Sequence, residues 1–296
     1  MNNSVAKQSF DLAVCCRIYP GLSGDPILKF GDKFTMVQLN LESLREAVGG
    51  LHIKLWVLLD NCPPAYGELV RSVFPDTEME LISLGGEGNW ATFSRQIDIL
   101  SAQQDADLVY FSEDDYLHLP GALEHAVAFF KKHPEADALT LADHADYHRR
   151  YVDRIRTPRL TAAGHEWRTV VSTALTFMMR RETLLKTGNV LKTFGKGNSD
   201  LGLWMALTKL RVFNPWCLIR GFEDGKFIPG SQVLAWWHAW RYILFEKRIT
   251  LWSPTPTLAT HLEKRSAATS ADWEKLFKPR IQALQENRKS TRPPKA

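Results

Sequence analysis

Short apolar runs and longer amphipathic stretches alternate along residues 10–135 of the chain. The apolar runs, each followed by polar or turn residues, predict buried strands at Phe10–Ile18, Ile53–Leu59, Glu78–Leu84 and Asp107–Phe111. Apolar residues at helical spacing predict helices at Lys33–Val48, Pro64–Val73, Trp90–Gln103 and Pro120–His133. Because parallel strands need crossover connections, this order predicts an α/β fold whose mostly parallel sheet is flanked by helices.

The alternation becomes irregular beyond Asp143. The pattern there predicts a strand at Ser172–Met179 and helices at Arg181–Thr187 and Ser199–Lys209. An aromatic-rich region follows and extends to Trp252. We therefore expect an embellished C-terminal half after the regular first half.

The composition is typical of a single globular domain, and the excess of basic residues lies at the end of the chain. Of 296 residues, 45% are hydrophobic and 24% are charged, which is ordinary for a folded domain. Since the chain shows no internal repeat or linker, we expect one domain over residues 1–277, divided at about residue 120. The net charge of +4 is concentrated in the last residues, so 278–296 are predicted to form a basic, disordered tail.

The sequence gives no sign of export or of a membrane span. The segment MNNSVAKQSF lacks the apolar core of a signal peptide, and no run of about 18 uncharged apolar residues occurs. The four cysteines lack the paired spacing of a zinc site. We therefore expect a cytoplasmic protein. The Trp-rich segment Val233–Leu251 is either a packed core helix or an amphipathic element at the inner face of the membrane.

Polar residues stand at the end of each predicted strand of the first half. In chain order they are Arg17, Asp60, the loop at 85–89, and then Glu113, Asp114 and Asp115. Open parallel sheets bind their ligands at the carboxyl ends of the strands. We therefore expect these residues to line one crevice.

Three consecutive carboxylates at 113–115 are costly to bring together, because like charges repel each other. A Mg²⁺ or Mn²⁺ ion would offset the repulsion and could hold a diphosphate by its oxygens. The same trio also fits a solvated acidic turn that favours the N-terminus of the next helix. The spacing alone leaves both interpretations open. A nucleic-acid partner is not expected, because an acidic crevice repels phosphate.

The segment VYFSEDDYLHLPGAL, residues 109–123, closely resembles the metal-binding signature of GT-A glycosyltransferases. Its Glu-Asp-Asp form of the DxD motif is similar to that of N-acetylglucosaminyltransferase I, and its flanking pattern is similar to family 2. The resemblance covers residues 10–210 and implies a GT-A, Rossmann-like fold. It also implies a metal ion held by Asp115 and contacts to the donor from Glu113 and Asp114.

Weaker similarities to the same family assign further roles. The resemblance implies that Asp60 contacts the nucleobase, that Arg95 lies beside the diphosphate, and that Asp200 is the catalytic base. Asp200 also stands where a helix-capping residue would be expected, in the segment GNSDLGLWMAL. Arg17 is a candidate for nucleobase binding, although its segment CCRIYPG departs from the pattern of the family.

Three aromatic residues of the second half complete the candidate list. His261 is either a second metal ligand, since GT-A enzymes often supply one from a C-terminal loop, or an ordinary surface histidine. His165 and Trp167 are candidates for acceptor binding, because an aromatic face packs well on a sugar ring. For Trp167 the sequence favours a place in the core over acceptor binding.

The resemblance implies a metal-dependent, inverting glycosyltransferase. Its expected cofactor is Mn²⁺ or Mg²⁺, and its expected donor is a nucleoside-diphosphate sugar, with UDP-sugars favoured. The expected acceptor is a glycan, a lipid-linked sugar or another hydroxyl compound, as in bacterial surface-polysaccharide assembly.

Two other functions fit the sequence less well. A sugar-1-phosphate nucleotidyltransferase needs a Gly-rich phosphate loop directly after the first strand, whereas GGEGNW follows the third. A catalytically inactive GT-A-like binding domain has no need of all four acidic residues, Glu113, Asp114, Asp115 and Asp200. Both are less favoured for these reasons.

Overall fold

A computed structural model describes residues 10–22, 25–220, 222, 226–264, 267–268 and 270–290. Four strands of the first half are hydrogen-bonded in parallel in the order β3-β2-β1-β4. They are β1 (Leu12–Ile18), β2 (Ile53–Asp60), β3 (Glu78–Leu84) and β4 (Leu108–Glu113). The helices that connect and follow them are α1 (Lys33–Val48), α2 (Pro64–Val73), α3 (Gly88–Ala102) and α4 (Ala122–Lys132).

The central strand β1 is buried along its whole length because helices cover both faces of the sheet. Ala13 and Cys15 of β1 face the core on the α3 side, where Phe93 and Ile97 lie. The alternate residues of β1, from Leu12 to Ile18, face the core beneath α1. A strand buried on both faces is a continuous apolar run, which is why the sequence pattern located β1.

The second half extends the same sheet to nine strands in the order β3-β2-β1-β4-β9-β6-β10-β8-β7. The strands that follow β4 in the chain are β5 (Tyr116–His118), β6 (Ala138–Leu139), β7 (Arg159–Ala162), β8 (His165–Thr169), β9 (Phe177–Arg180), β10 (Leu251–Thr255) and β11 (Ala259–His261). Strands β8 and β9 run against the direction of the others in this sheet. The predicted α/β class with a mostly parallel sheet is therefore confirmed. Strands β5 and β11 form a separate antiparallel pair.

The remaining helices are α5 (Arg181–Leu191), α6 (Asp200–Thr208), α7 (Trp216–Arg220), α8 (Phe227–Phe245) and α9 (Trp273–Ser290). Short 3-10 turns occupy Ala145–His148, Tyr151–Asp153 and Lys192–Lys196. None of the helices in the described ranges is long and apolar enough to cross a membrane.

Two predicted elements differ in the structure. The strand predicted at Ser172–Met179 begins only at Phe177. Residues 172–176 lie outside the sheet, where Ala174 and Leu175 line a cavity. The prediction of a disordered tail was wrong for residues 278–290, which belong to α9. Phe277 and Ile281 are buried in a core shared with Met36 and Leu39 of α1, so apolar contacts hold this basic helix in place. Residues 291–296 lie outside the described ranges.

Candidate active site

A cavity of about 760 Å³ opens at the carboxyl ends of β1, β2 and β4. Its walls include seven residues that the sequence analysis singled out: Arg17, Asp60, Glu113, Asp114, Asp115, Asp200 and His261. The first five come from the first half of the chain, whereas Asp200 begins α6 and His261 ends β11. The expected crevice at the strand ends is therefore present, and residues of the second half complete its lining.

Arg17 joins the end of β1 to β4 and α3. Its Nη2 donates to Oε1 of Glu113 at 2.5 Å, and its Nη1 donates to the carbonyl oxygen of Asn89 at 2.7 Å. Oε2 of Glu113 accepts from the hydroxyl of Thr176 at 3.3 Å. Burial raises the pKa of Glu113, an effect that the charge of Arg17 partly offsets. Both groups are thus held by the protein, and Arg17 presents positive charge at the cavity wall.

Asp114 is bound by a lysine that the sequence analysis did not single out. Lys33 Nζ donates to Oδ1 of Asp114 at 2.9 Å, and the backbone N–H of Tyr19 donates to Oδ2 at 2.8 Å. Burial raises the pKa of Asp114, and Lys33 opposes that rise. Lys33 lies 81 residues from Asp114 in the chain, directly after the capping residue Asp32 of α1. Nothing in its local pattern marks it, apart from its place in the first turn of a predicted helix.

Asp115 has one buried oxygen without a hydrogen-bond partner, Oδ1. Its other oxygen lies 3.1 Å from Nε2 of His261, which the pairing of β11 with β5 brings beside it. Burial alone would raise the pKa of Asp115, but the charge and hydrogen bond of His261, together with the charges of Lys33 and Arg17, outweigh it and lower that pKa. Burial disfavours charge on His261 as well, but Asp115 outweighs it and raises the pKa of His261 to about 9.

The pair of Asp115 and His261 fits a divalent ion. An unpartnered carboxylate oxygen and an imidazole nitrogen are ligands that Mn²⁺ accepts, and Mg²⁺ accepts the carboxylate. Within the described ranges, no three His, Cys, Asp or Glu side chains are grouped so as to hold an ion by themselves. An ion would therefore take its remaining ligands from water or from a bound diphosphate, as Mg²⁺ commonly does.

Asp60 holds the loop that leads from β3 into α3. Its Oδ1 accepts from the backbone N–H groups of Gly86 and Glu87 at 2.9 and 2.8 Å, and its Oδ2 accepts from Gly88 at 2.9 Å. Gly86 and Gly88 have φ angles of 91° and 83°, which side-chain-bearing residues rarely adopt. A contact between Asp60 and the nucleobase remains a prediction. Because Oδ2 accepts a single hydrogen bond here, it can accept another one from a base.

Asp200 is half-buried at the start of α6 and lines the cavity. Burial raises its pKa, although a 2.6 Å hydrogen bond from the backbone N–H of Leu201 and the charge of Arg150 work against that rise. The helix cap is its neighbour Ser199, whose Oγ accepts from the backbone N–H of Gly202 at 2.9 Å. The capping role that the sequence offered as an alternative therefore belongs to Ser199.

Three predicted site residues lie elsewhere. Arg95 is half-exposed and bound to Glu87 through both ends of its guanidinium, at 2.5 and 2.6 Å, and it does not line the cavity. Trp167 is fully buried and stacks on Phe129 with ring centres 4.4 Å apart, so no face is left for a sugar. His165 lies against His125, 4.8 Å between ring centres, outside the cavity. The core placement that the sequence favoured for Trp167 is the one observed, and it follows from the register of β8, in which Trp167 faces inward.

No protein-family model matches the chain, and no curated protein matches it significantly. Among solved structures, it is similar in fold to residues 1–349 of TarS from S. aureus, with 14% identity and a TM-score of 0.41. That match covers 82% of this chain and 60% of the TarS fragment, so the chain spans less than two thirds of it. The same fragment in complex with UDP-GlcNAc gives 12% identity, a TM-score of 0.42, and coverage of 93% and 65%.

A synthetase for CMP:2-keto-3-deoxy-manno-octonic acid, complexed with CTP, is similar at 11% identity with a TM-score of 0.42. The match covers 94% of this chain and 99% of the synthetase. Identities this low indicate similarity of fold alone and do not assign a reaction to this chain.

Proposed function

We propose that this protein is a metal-dependent, inverting glycosyltransferase that moves a sugar from a nucleoside-diphosphate sugar to a hydroxyl acceptor. One observation carries the proposal. The cavity combines Asp115, which has a buried unpartnered oxygen beside His261, with a separate carboxylate of raised pKa, Asp200. Asp115 and His261 are suited to hold an ion at the leaving diphosphate, and Asp200 is suited to accept a proton.

The donor half of the reaction needs positive charge where the diphosphate departs. A divalent ion held by Asp115 and His261 would stabilise that negative charge as a Lewis acid. Arg17 adds a fixed cation at the same wall, since its bonds to Glu113 and Asn89 orient its guanidinium. Arg17 thus replaces Arg95 as the arginine proposed to lie nearest the phosphates. Asp60 and the loop at 85–88 form the wall at which the nucleoside is proposed to bind.

The acceptor half needs a base. In an inverting transfer, the acceptor oxygen forms a bond to the anomeric carbon, the bond from that carbon to the diphosphate breaks, and the acceptor proton passes to a carboxylate. A raised pKa makes Asp200 a stronger base than a free aspartate. It comes from the second half of the chain and lines the same cavity as the proposed donor site.

Calorimetric titration with UDP-, GDP- and dTDP-sugars, with and without Mn²⁺, tests the donor assignment. We expect Mn²⁺-dependent binding of at least one donor and its loss in Asp115→Asn, because the ion loses a charged ligand. The exposed residue Asp25 supplies the control Asp25→Asn, which should bind as the wild type does. Undiminished metal-dependent binding by Asp115→Asn would contradict the metal site. Release of pyrophosphate from a nucleoside triphosphate and a sugar phosphate would instead indicate a nucleotidyltransferase.

A further inference from the structure

Helix α8 exposes a row of large apolar side chains to solvent. Trp237 is 77% exposed and Phe245 is 75% exposed, and the rings of Trp240 and Phe245 lie 6.5 Å apart. We call the surface formed by six exposed residues of α7 and α8 the docking face: Leu218, Val233, Trp237, Trp240, Leu244 and Phe245. Contiguous exposed apolar surface of this kind marks an interaction site.

A groove of about 640 Å³ runs along the docking face between α7 and α8. Its lining is apolar apart from Gln232, whose amide nitrogen already donates to the carbonyl oxygen of Val212 at 2.9 Å. The indole N–H of Trp236 donates to the same carbonyl at 3.0 Å. These two donors are thus directed into the protein and the rest of the lining is mainly hydrocarbon and aromatic, so the groove suits an apolar chain better than a sugar.

Basic side chains border the docking face. Along residues 226–248, the exposed charged residues are Lys226, Arg241, Lys247 and Arg248 against the single acid Glu246. The guanidinium of Arg241 lies 5.3 Å from the ring centre of Trp240, so one of these cations lies directly against an aromatic ring of the docking face. Helices that lie in a lipid headgroup layer combine exposed Trp and Phe with Lys and Arg in this way.

We propose that the docking face binds the surface of an anionic lipid bilayer. In this arrangement, Trp237 and Phe245 enter the boundary between headgroups and acyl chains, and the basic border contacts lipid phosphates. A second copy of the chain fits less well. A two-fold contact would place the same patch on both subunits and bring one basic border against the other.

Bilayer contact would orient the cavity relative to the lipid surface. Ser231 of α8 lies within hydrogen-bond distance of Ser199, 2.8 Å between the two hydroxyl oxygens, and Ser199 precedes Asp200. The docking face and the proposed base therefore belong to one packed unit. Binding to lipid requires neither donor nor metal, so its failure and a failure of the proposed function can be told apart.

Co-sedimentation with vesicles tests the proposal directly. We expect the full chain to bind phosphatidylcholine vesicles that contain about a quarter phosphatidylglycerol, and to bind pure phosphatidylcholine much less. Trp237→Ala should lower the partition coefficient by about tenfold, because one large aromatic surface no longer enters the lipid. The matched control is Trp90→Ala on α3, since Trp90 is 56% exposed and lies outside the docking face. It should bind as the wild type does.

The charge contribution is tested separately. Replacing both border residues, Lys247→Glu and Arg248→Glu, should lower binding to anionic vesicles, whereas Lys131→Glu on α4 should not. About 0.5 M salt should weaken wild-type binding, because it screens exposed charges. Absence of wild-type binding to anionic vesicles would overturn the proposal, as would equal losses in Trp237→Ala and Trp90→Ala. A dimer in sedimentation velocity that Trp237→Ala dissociates would assign the face to a second copy and also overturn it.

Discussion

At the scale of residues, each carboxylate of the trio at 113–115 has a cationic partner of its own. Arg17 binds Glu113, Lys33 binds Asp114 and His261 binds Asp115. From the sequence, either an ion or solvation of an acidic turn could offset the repulsion among the three acids. The protein supplies most of that compensation itself, so we expect the chain to fold without metal and to recruit an ion together with a nucleotide.

The protonation of His261 makes ion binding depend on pH. Because Asp115 raises the pKa of His261 to about 9, the imidazole is charged at neutral pH in the absence of metal. An ion binds only the neutral imidazole, so binding must release this proton. The apparent Mn²⁺ affinity should therefore rise as the pH rises from 6 toward 9, by up to about tenfold per unit.

Calorimetry in two buffers of different ionisation enthalpy measures the released proton. In His261→Ala the affinity should be lower at high pH and its pH dependence should largely disappear. A variant outside the site, His52→Ala, should keep the wild-type dependence. A Mn²⁺ affinity in the wild-type protein that does not change between pH 6 and 9 would remove His261 from the proposed ligands.

Asp200 and its neighbour Ser199 allow catalysis and helix capping to be separated. Asp200→Asn keeps the hydrogen bond from Leu201 but removes the base, so turnover should fall by about 10² to 10⁴-fold with little change in stability. Ser199→Ala removes the cap, which should lower the free energy of unfolding by about 0.5 to 2 kcal/mol. Turnover of bound donor by Ser199→Ala should fall much less.

Steady-state transfer assays of both variants measure turnover, and chemical denaturation measures the free energy of unfolding. Near-normal transfer by a folded Asp200→Asn protein would show that another group takes the acceptor proton.

At the scale of elements, α9 shows how a charged helix can be fixed by a few apolar residues. Trp273, Phe277 and Ile281 recur at intervals of four and pack on α1, and Arg280 adds contacts to Glu42 and Glu46. The four-residue spacing is visible in the sequence, but the prediction of a disordered tail rested on the basic residues that follow it. The spacing stabilises the helix because α1 supplies apolar residues on which these side chains pack.

Paired substitutions in α9 test this packing. Phe277 is 3% exposed, and its neighbour Leu276 is 48% exposed. Phe277→Ala should lower the free energy of unfolding by about 3 to 5 kcal/mol, because it leaves a cavity against α1. Leu276→Ala should cost much less. Equal, small effects of the two substitutions in urea denaturation would indicate that α9 contributes little to the folded state.

At the scale of the whole molecule, the cavity exists because two distant parts of the chain meet. The strand ends of the first half supply Arg17, Asp60 and the acidic trio, and the second half adds Asp200 and His261. His261 lies 146 residues from Asp115 and reaches it through the pairing of β11 with β5. Neither half alone holds both the proposed ion site and the proposed base.

The sequence by itself determined the elements of the first half and the positions where their strands end. Those features are local: a strand covered on both faces is an apolar run, as β1 is from Leu12 to Cys16, and Asp114 and Asp115 come directly after β4 in the chain. Turn residues and helical spacing act over a few positions, so a single sequence displays them.

Only the tertiary structure decided which side chains meet. In it, Lys33 binds Asp114 and Trp167 packs in the core. Arg95 binds Glu87 away from the cavity, whereas Arg17 lines the cavity wall. Each outcome depends on packing between segments far apart in the chain. The physical reason is that burial and charge pairing are properties of neighbours in space, and local patterns of apolar and polar residues carry no record of those neighbours.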